Sequence, residues 1–384
     1  MKTPLAWRNL VHNKVRTAVA TAGVTFAVVL IFMQTGFHGA VETTATLVYD
    51  ALKFDVVLRS PEYLHISDPR SFPIERVRKA AESPAVETAT PFYIESSLWK
   101  NPKNGRSRGI LAIGVRPQDD VFKDAEIDDK QRRLVAPEML LIDRKSRKEF
   151  GPQNDRRFGD EDKGVVAEVA GKRMRIVDHF QLGAGLANDG TILLSAEGFS
   201  RIAPHRTKRD VSLGLIVLKN PAQAAEVARQ LSEILPPDVE VLTRDEIIAL
   251  EKERWVYQTS IGLIFLLGVG ISLLVGTAIV NQVLSNDVAN HLAEYATLKA
   301  MGYTDMYLAS VVLMQAVLLA LFGFLPGIAI SEVLYRVTSL LANIPIAMNA
   351  GRAMLVLGLT IAMCVLSGFI ALRKVRSLDP ADLF

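Results

Sequence analysis

Catalysis by side chains needs reactive groups at set spacings, and the 384 residues offer none of the familiar sets. A phosphate-binding loop requires G-x-x-x-x-G-K-S/T, so that backbone N–H groups can close on phosphate oxygens. No such run occurs, so the chain has no route to ATP hydrolysis by that means. The zinc-protease pattern H-E-x-x-H and the hydrolase elbow G-x-S-x-G are also missing. The six histidines are scattered. The single cysteine, Cys364, lies in an apolar run and can form neither an internal disulfide nor a thiolate cluster. Mixed-charge stretches at 119–133, 144–148 and 156–163 alternate in sign and lack His or Cys at ligand spacing. They read as solvated loops. No catalytic residue, metal site or cofactor is expected. The net charge of +3, with no dense basic run among aromatics, also excludes nucleic acid as a partner.

The residues able to act by contact lie in NQVLSNDVANHLAEYATLKAMGYTDMY (281–307), a charged interruption between two long apolar runs. Val288, Leu292, Tyr295 and Leu298 recur at three- and four-residue steps, which places them on one helical face. Ala289, Ala293, Ala296 and Ala300 make a small-residue face, and Asp287, His291, Glu294 and Lys299 take polar positions. Gly302 follows the last periodic residue, where a helix C-cap belongs. Such a helix can be a mere connector in the lipid interface. The sharper reading is a protruding helix that docks into a soluble partner.

The elements that position this stretch are apolar. Residues of apolar type make up 49% of the chain, an excess that normally sits in membrane spans. Residues 17–37 carry no charge and span roughly 31 Å as a helix, enough for a hydrocarbon core and longer than a signal-peptide core. Residues 255–286 would make a helix of about 48 Å, which must project from a bilayer. Residues 306–331 and 353–372 complete four spans. None carries Asp, Glu, Lys or Arg in its interior, which argues against an ion or proton pathway. Gly262, Gly268, Gly270 and Gly276 dot the second span, and GFLPG places Gly323 and Gly327 at small-xxx-small spacing in the third; all are candidates for close helix packing. Residues 1–16 read as an interfacial helix with a basic face, 287–305 as a short helix between spans, 332–352 as a short loop and 373–384 as a tail. Lys2, Arg8, Lys14 and Arg16 precede the first span, while Arg373, Lys374 and Arg376 follow the last. The positive-inside rule therefore expects both termini in the cytoplasm and residues 38–254 outside it.

That outer region alternates strand and helix patterns. FDVVLRS (54–60), VETATPFYIESSLW (86–99), RGILAIGV (108–115), DVSLGLIVL (210–218) and VEVLT (239–243) read as strands, and 73–82 and 221–235 as helices. These make an α+β domain: a split ferredoxin-like lobe from 54–115 and 207–243, with 116–206 as a strand-rich inserted lobe. Strand 210–218 is expected to share a sheet with strands of 54–115. MRIVDHF (174–180) and GTILLS (190–195) are strand candidates of the insert, and Phe92, Tyr93 and Trp99 read as core.

LAWRNLVHNKVRTAVATAGV (5–24), HLAEYATLKAMGY (291–303) and SLDPADLF (377–384) together resemble the first-span entry, cytoplasmic coupling segment and C-terminal signature of MacB/FtsX-type permeases of ABC transporters. FMQTGF (32–37), LWKNP (98–102), FGP (150–152), DGTILLS (189–195) and AEYATLKAMGY (293–303) look like the DevC branch. The final Asp382-Leu383-Phe384 departs from the more usual Ala-Leu-Arg ending. The resemblance implies a homodimeric permease in the bacterial inner membrane, with no cofactor of its own and ATP bound by a separate ATPase subunit. It further implies a periplasmic adaptor with an outer-membrane channel, and export of glycolipid-like substrates. It gives the coupling role to His291, Glu294, Tyr295, Lys299, Met301 and Gly302. Two other readings stand beside it: a regulator of periplasmic enzymes, like cell-division members of the same fold, or a sensor whose outer domain binds a ligand and signals through the coupling helix.

Overall fold

A computed structural model describes residues 14–183, 188–207, 209–290, 294, 297–298, 301–342 and 345–376. The expected helix over 1–16 lies outside the described residues up to residue 13, and the tail does so from 377. Contacts divide the chain into two compact units, Met1–Val41 with Val256–Phe384, and Glu42–Trp255. In chain order, helix α1 (Lys14–Ala45) leads to α2 (Leu47–Ala51), strands β1 (Val56–Arg59) and β2 (Phe72–Pro73), and α3 (Glu75–Ala81). Then come β3 (Val86–Lys100), β4 (Ser107–Val115), α4 (Ala125–Gln131), β5 (Met139–Asp143), β6 (Val166–Val169), β7 (Lys172–Phe180), β8 (Thr191–Ser195) and α5 (Ala196–Ile202). Next are β9 (Asp210–Val211), β10 (Leu213–Leu218), α6 (Ala224–Ile234), β11 (Glu240–Thr243) and α7 (Arg244–Glu253). A π-helical turn, Arg254–Gln258, precedes α8 (Ser260–Asn290). Helices α9 (Asp305–Ala342) and α10 (Ala350–Arg376) follow.

Helices α1, α8, α9 and α10 are long and apolar enough to cross a membrane. Their ends correct the expected ones, because hydropathy marks where lipid contact stops and not where a helix stops. Helix α1 continues to Ala45, past residue 37, through a stretch with no proline. The α-helix of the second apolar run begins at Ser260 and not at residue 255, since the π-helical turn intervenes. Helix α9 runs to Ala342, well into the expected 332–352 loop. Glu332 and Arg336, one turn apart, pair on its flank at 2.8 Å, so both charges fit a helix. The helices meet through glycines. A Cβ on Gly327 would lie 2.5 Å from Val28 Cγ1, and one on Gly323 would strike the same face of α1 at Val24. A Cβ on Gly23 would lie 2.7 Å from Ile279 of α8. Absence of side chains lets backbones approach, and packing without a hydrophobic drive depends on that. The Thr25 hydroxyl also donates to the Gly323 carbonyl at 3.2 Å, beside the proline of this helix, Pro326.

The other unit begins with the expected lobe. Strands β11, β1, β10 and β3 lie side by side in that order, each pair antiparallel. With α3 between β1 and β3 and α6 between β10 and β11, this is the ferredoxin-like arrangement, closed by two distant pieces of chain. Strand β10 pairs with both β1 and β3, so 210–218 does share the sheet of the early strands. Val77 and Ala80 of α3 and Val227, Ala228 and Leu231 of α6 cover one face.

The boundary with the insert moves. Strand β3 is 15 residues long, and only its first part belongs to the ferredoxin-like sheet. From Tyr93 onward it pairs with β4, which pairs in turn with β8. Strands β5, β7 and β6 continue the sheet, and β6 returns to β3 at Trp99↔Val169. These described strands close a ring. Strand β4 therefore belongs to the insert and not to the 54–115 lobe. The reason is that β3 outlasts its first set of partners and its second half needs new ones. Trp99 fills the ring, fully buried, and donates to the Phe150 carbonyl at 3.0 Å. Phe92 and Tyr93 are buried too, in keeping with a core role. The 119–133 stretch is not wholly a solvated loop. It contains α4, and Asp128 is buried because it accepts from Lys53 Nζ (2.9 Å) and from the backbone N–H groups of Val121 and Phe122.

A buried polar chain joins α2 to α7. The Tyr49 and Tyr63 hydroxyls lie 2.7 Å apart, and Tyr63 donates to Glu251, which is 1% exposed. Arg59 stacks over the Tyr63 ring at 4.8 Å. Burial pushes the Glu251 carboxyl above the ordinary glutamate range and both phenols well above theirs. An acid whose folded pKa is raised penalises the fold at high pH. That penalty is relieved as pH falls from neutral through the folded pKa toward the ordinary value of 4.5. Glu251→Gln keeps an acceptor for Tyr63, and it is expected to raise stability at neutral pH and flatten this slope. Tyr63→Phe loses the bridge and should cost about 1–3 kcal/mol. Thermal unfolding against pH checks both; a steeper slope in Glu251→Gln would contradict the assignment.

Candidate docking surface

The stretch between α8 and α9 offers apolar surface in a tight turn. Its inner side is anchored: Leu284 and Val288 of α8 and Leu308 of α9 are buried in the helical core, and Leu298 packs against it. The turn closes on glycine. Gly302 has φ +91°, a left-handed conformation that a side chain resists. The Met301 N–H donates to the Thr297 carbonyl (3.0 Å) and the Tyr303 N–H reaches back to the Leu298 carbonyl (3.1 Å). That is the reverse bonding of a glycine-terminated helix. Thr304 then opens α9, its hydroxyl accepting from the Tyr307 N–H at 3.3 Å.

This geometry turns four large side chains outward. Met301 is 62% exposed, Tyr303 45%, Met306 80% and Tyr307 40%. The two tyrosine rings sit 4.8 Å apart, centroid to centroid. Glu294 is exposed nearby in sequence. Of the residues given a coupling role, the structure brings Met301 and Gly302 into this turn and leaves Glu294 on an exposed helical position. His291, Tyr295 and Lys299 lie outside the described residues. Tyr303, Met306 and Tyr307 lie in the 281–307 stretch but were not among the residues given a coupling role, and Met306 and Tyr307 also open the third apolar helix long enough to span, Met306–Leu341. The signal was present: a capping glycine followed at once by Tyr-Thr-Asp-Met-Tyr. Side chains just past a C-cap cannot all face the core.

The packing glycines divide by environment. A Cβ on Gly268 would lie 2.5 Å from Gln34, and one on Gly276 would lie 2.8 Å from Ala27 and collide with Met363. Gly323 and Gly327 press on α1 as described. Gly262 is buried, its N–H donating to Thr259 Oγ1 at 3.4 Å. Gly270 faces open space: a Cβ there would meet nothing within 4 Å among the described residues.

Residues 261–380 match the family described as FtsX-like permease C-terminal. Two uncharacterized ABC transporter permeases, from two strains of Mycobacterium tuberculosis, are each 22% identical over 385 aligned positions, covering 99% of this chain and 97% of theirs. Among solved structures, the extracellular domain of the noncanonic ABC-type transporter YknZ from Gram-positive bacteria aligns with a TM-score of 0.32 and 11% identity, covering 50% of this chain and 99% of its own. The periplasmic region of MacB from Actinobacillus actinomycetemcomitans aligns with a TM-score of 0.35 and 8% identity, covering 53% and 94%. Residues 261–380 thus carry the likeness to an FtsX-like permease C-terminal domain, and along nearly its whole length the chain is similar to ABC transporter permeases.

Proposed function

We propose that this permease is the membrane subunit of an ATP-driven exporter, and that it works by transmitting motion. Two copies form the membrane part, and a separate cytoplasmic ATPase seats on the turn at Met301–Tyr307. The observation that carries this reading is the outward cluster of Met301, Tyr303, Met306 and Tyr307. Exposed aromatic and methionine side chains are the usual anchors of a protein interface. A second line of support is chemical. The chain has no phosphate loop, so energy must come from another subunit. The outer domain is the receiving end, engaging a periplasmic adaptor and through it an outer-membrane channel. Substrates are of lipid or glycolipid type, or other periplasmic molecules. The chain lies in the inner membrane with both termini in the cytoplasm.

The reading requires the docking turn and the outer domain to lie on opposite sides. Asn104, at the exposed tip between β3 and β4, and Met306 are suited to test it. Asn104→Cys should react with an impermeant thiol reagent in intact spheroplasts, and Met306→Cys only after lysis. Equal labelling of both before lysis overturns the proposal.

A further inference from the structure

The inserted ring carries a cluster that docking does not use. Where β7 pairs with β5 the register shifts: Ile176 faces Leu140, but Asp178 faces Leu141. Val177 is thus the extra residue of a bulge, a device that re-aims the side chains beside it. Asp178 and His179 come next. Facing them is the short turn Asp160–Asp162. The buried Asp162 carboxylate fixes that turn by accepting from the N–H groups of Gln153 (2.7 Å) and Gly159 (2.8 Å).

Asp160, Asp178 and His179 each offer one ligand atom, and these atoms lie within 4.8 Å of one another. His179 is 7% exposed, yet neither ring nitrogen makes a well-aligned hydrogen bond among the described residues. Its Nε2 stands 3.4 Å from Asp160 Oδ1. His179 also lines a cavity of about 300 Å³ with Asp124, Glu126, Lys130, Arg144 and Gln181. A largely buried imidazole whose one close polar contact is a poorly aligned carboxylate is left under-satisfied, and a cation is the partner that two adjacent carboxylates favour. At present the Lys163 ammonium fills that role, 2.6 Å from Asp160 Oδ1 and 3.0 Å from Asp178 Oδ1. Arg133 pairs with the other oxygen of Asp178. Lys163 is 38% exposed and Asp160 80%, so the ammonium can swing out and the carboxylate can adjust.

The geometry points to a binding site for a divalent transition-metal ion of the zinc type, ligated by His179, Asp160 and Asp178 in exchange for Lys163. One imidazole nitrogen with two carboxylates suits zinc better than magnesium or calcium, which prefer oxygen alone. This departs from the reading of 156–163 as a solvated loop, and it holds whether or not the transport reading does. Asp160 and His179 are 19 positions apart in sequence, so no local ligand spacing announces the site.

The test is titration of the full-length chain in detergent, stripped by chelator, with zinc alone, followed by cobalt for its visible ligand-field bands. The wild-type chain should bind zinc, and millimolar magnesium should not compete. Asp160→Asn, at an exposed position, and His179→Ala should each weaken binding at least about tenfold. Lys163→Met removes the competing charge and should tighten it about tenfold or more. Absence of zinc binding by the wild type, displacement by magnesium, unchanged affinity in Asp160→Asn, or no gain in Lys163→Met would each overturn the site.

Discussion

Tyr303→Asp with Tyr307→Asp is expected to release the ATPase subunit from the permease while leaving the permease folded. Both rings are partly exposed and neither belongs to the buried helical core, so the fold loses little. In a docked state they would be central aromatic anchors. Truncating such an anchor costs about 2 kcal/mol or more, equivalent to roughly 30-fold in affinity, and a buried carboxylate without a partner adds to that. Glu294→Lys should do less. An exposed charge at the rim of an interface is worth roughly 0–1 kcal/mol. The measurement is retention of the ATPase on affinity-purified permease, with size-exclusion profiles to show that the variants stay monodisperse. If the double tyrosine variant retains its partner as well as the wild type, the turn is a connector and the docking surface lies elsewhere.

Leucine at Gly323 and Gly327 is expected to break the membrane unit. A Cβ alone at Gly327 would lie 2.5 Å from Val28 Cγ1, and the same wall meets Gly323 one turn earlier. Leucine adds three more carbons against a helix that is itself packed on α8. Overpacking of this kind costs typically about 1–3 kcal/mol per site. The two sites share one wall, so their costs will not simply add. Gly270→Leu is the control, since it meets nothing within 4 Å. Thermal unfolding in detergent should show a large loss for the first pair and almost none for the control. Equal behaviour would mean that α1 and α9 do not pack as described.

Much of the ferredoxin-like lobe was legible because its signals are local. The alternation in 54–60, 86–99 and 210–218, and the three- to four-residue period in 221–235, are set by which face each element buries. The turn at Gly302 was legible for the same reason: the last periodic residue and the glycine are neighbours. What stayed hidden depends on contacts distant in sequence. Closure of the ring needs Trp99 to meet Val169, and nothing near either residue says so. Tyr63 and Glu251 are 188 positions apart, and each alone looks like an ordinary surface polar residue. Asp128 reads as one acid in a charged run until Lys53 and two backbone N–H groups converge on it. The helix ends were misplaced because charges such as Glu332 and Arg336 end an apolar run without ending a helix.

The central claim is that energy reaches this permease from another protein through the turn at Met301–Tyr307. The measurement that addresses it is affinity purification of the full-length wild-type chain from native membranes, with quantitative mass spectrometry and an ATPase assay on the product. The account predicts an ABC ATPase subunit in equal amount, with ATP hydrolysis that disappears when that subunit is stripped away. A pure permease that carries no nucleotide-hydrolysing partner, or one that hydrolyses ATP alone, would contradict it.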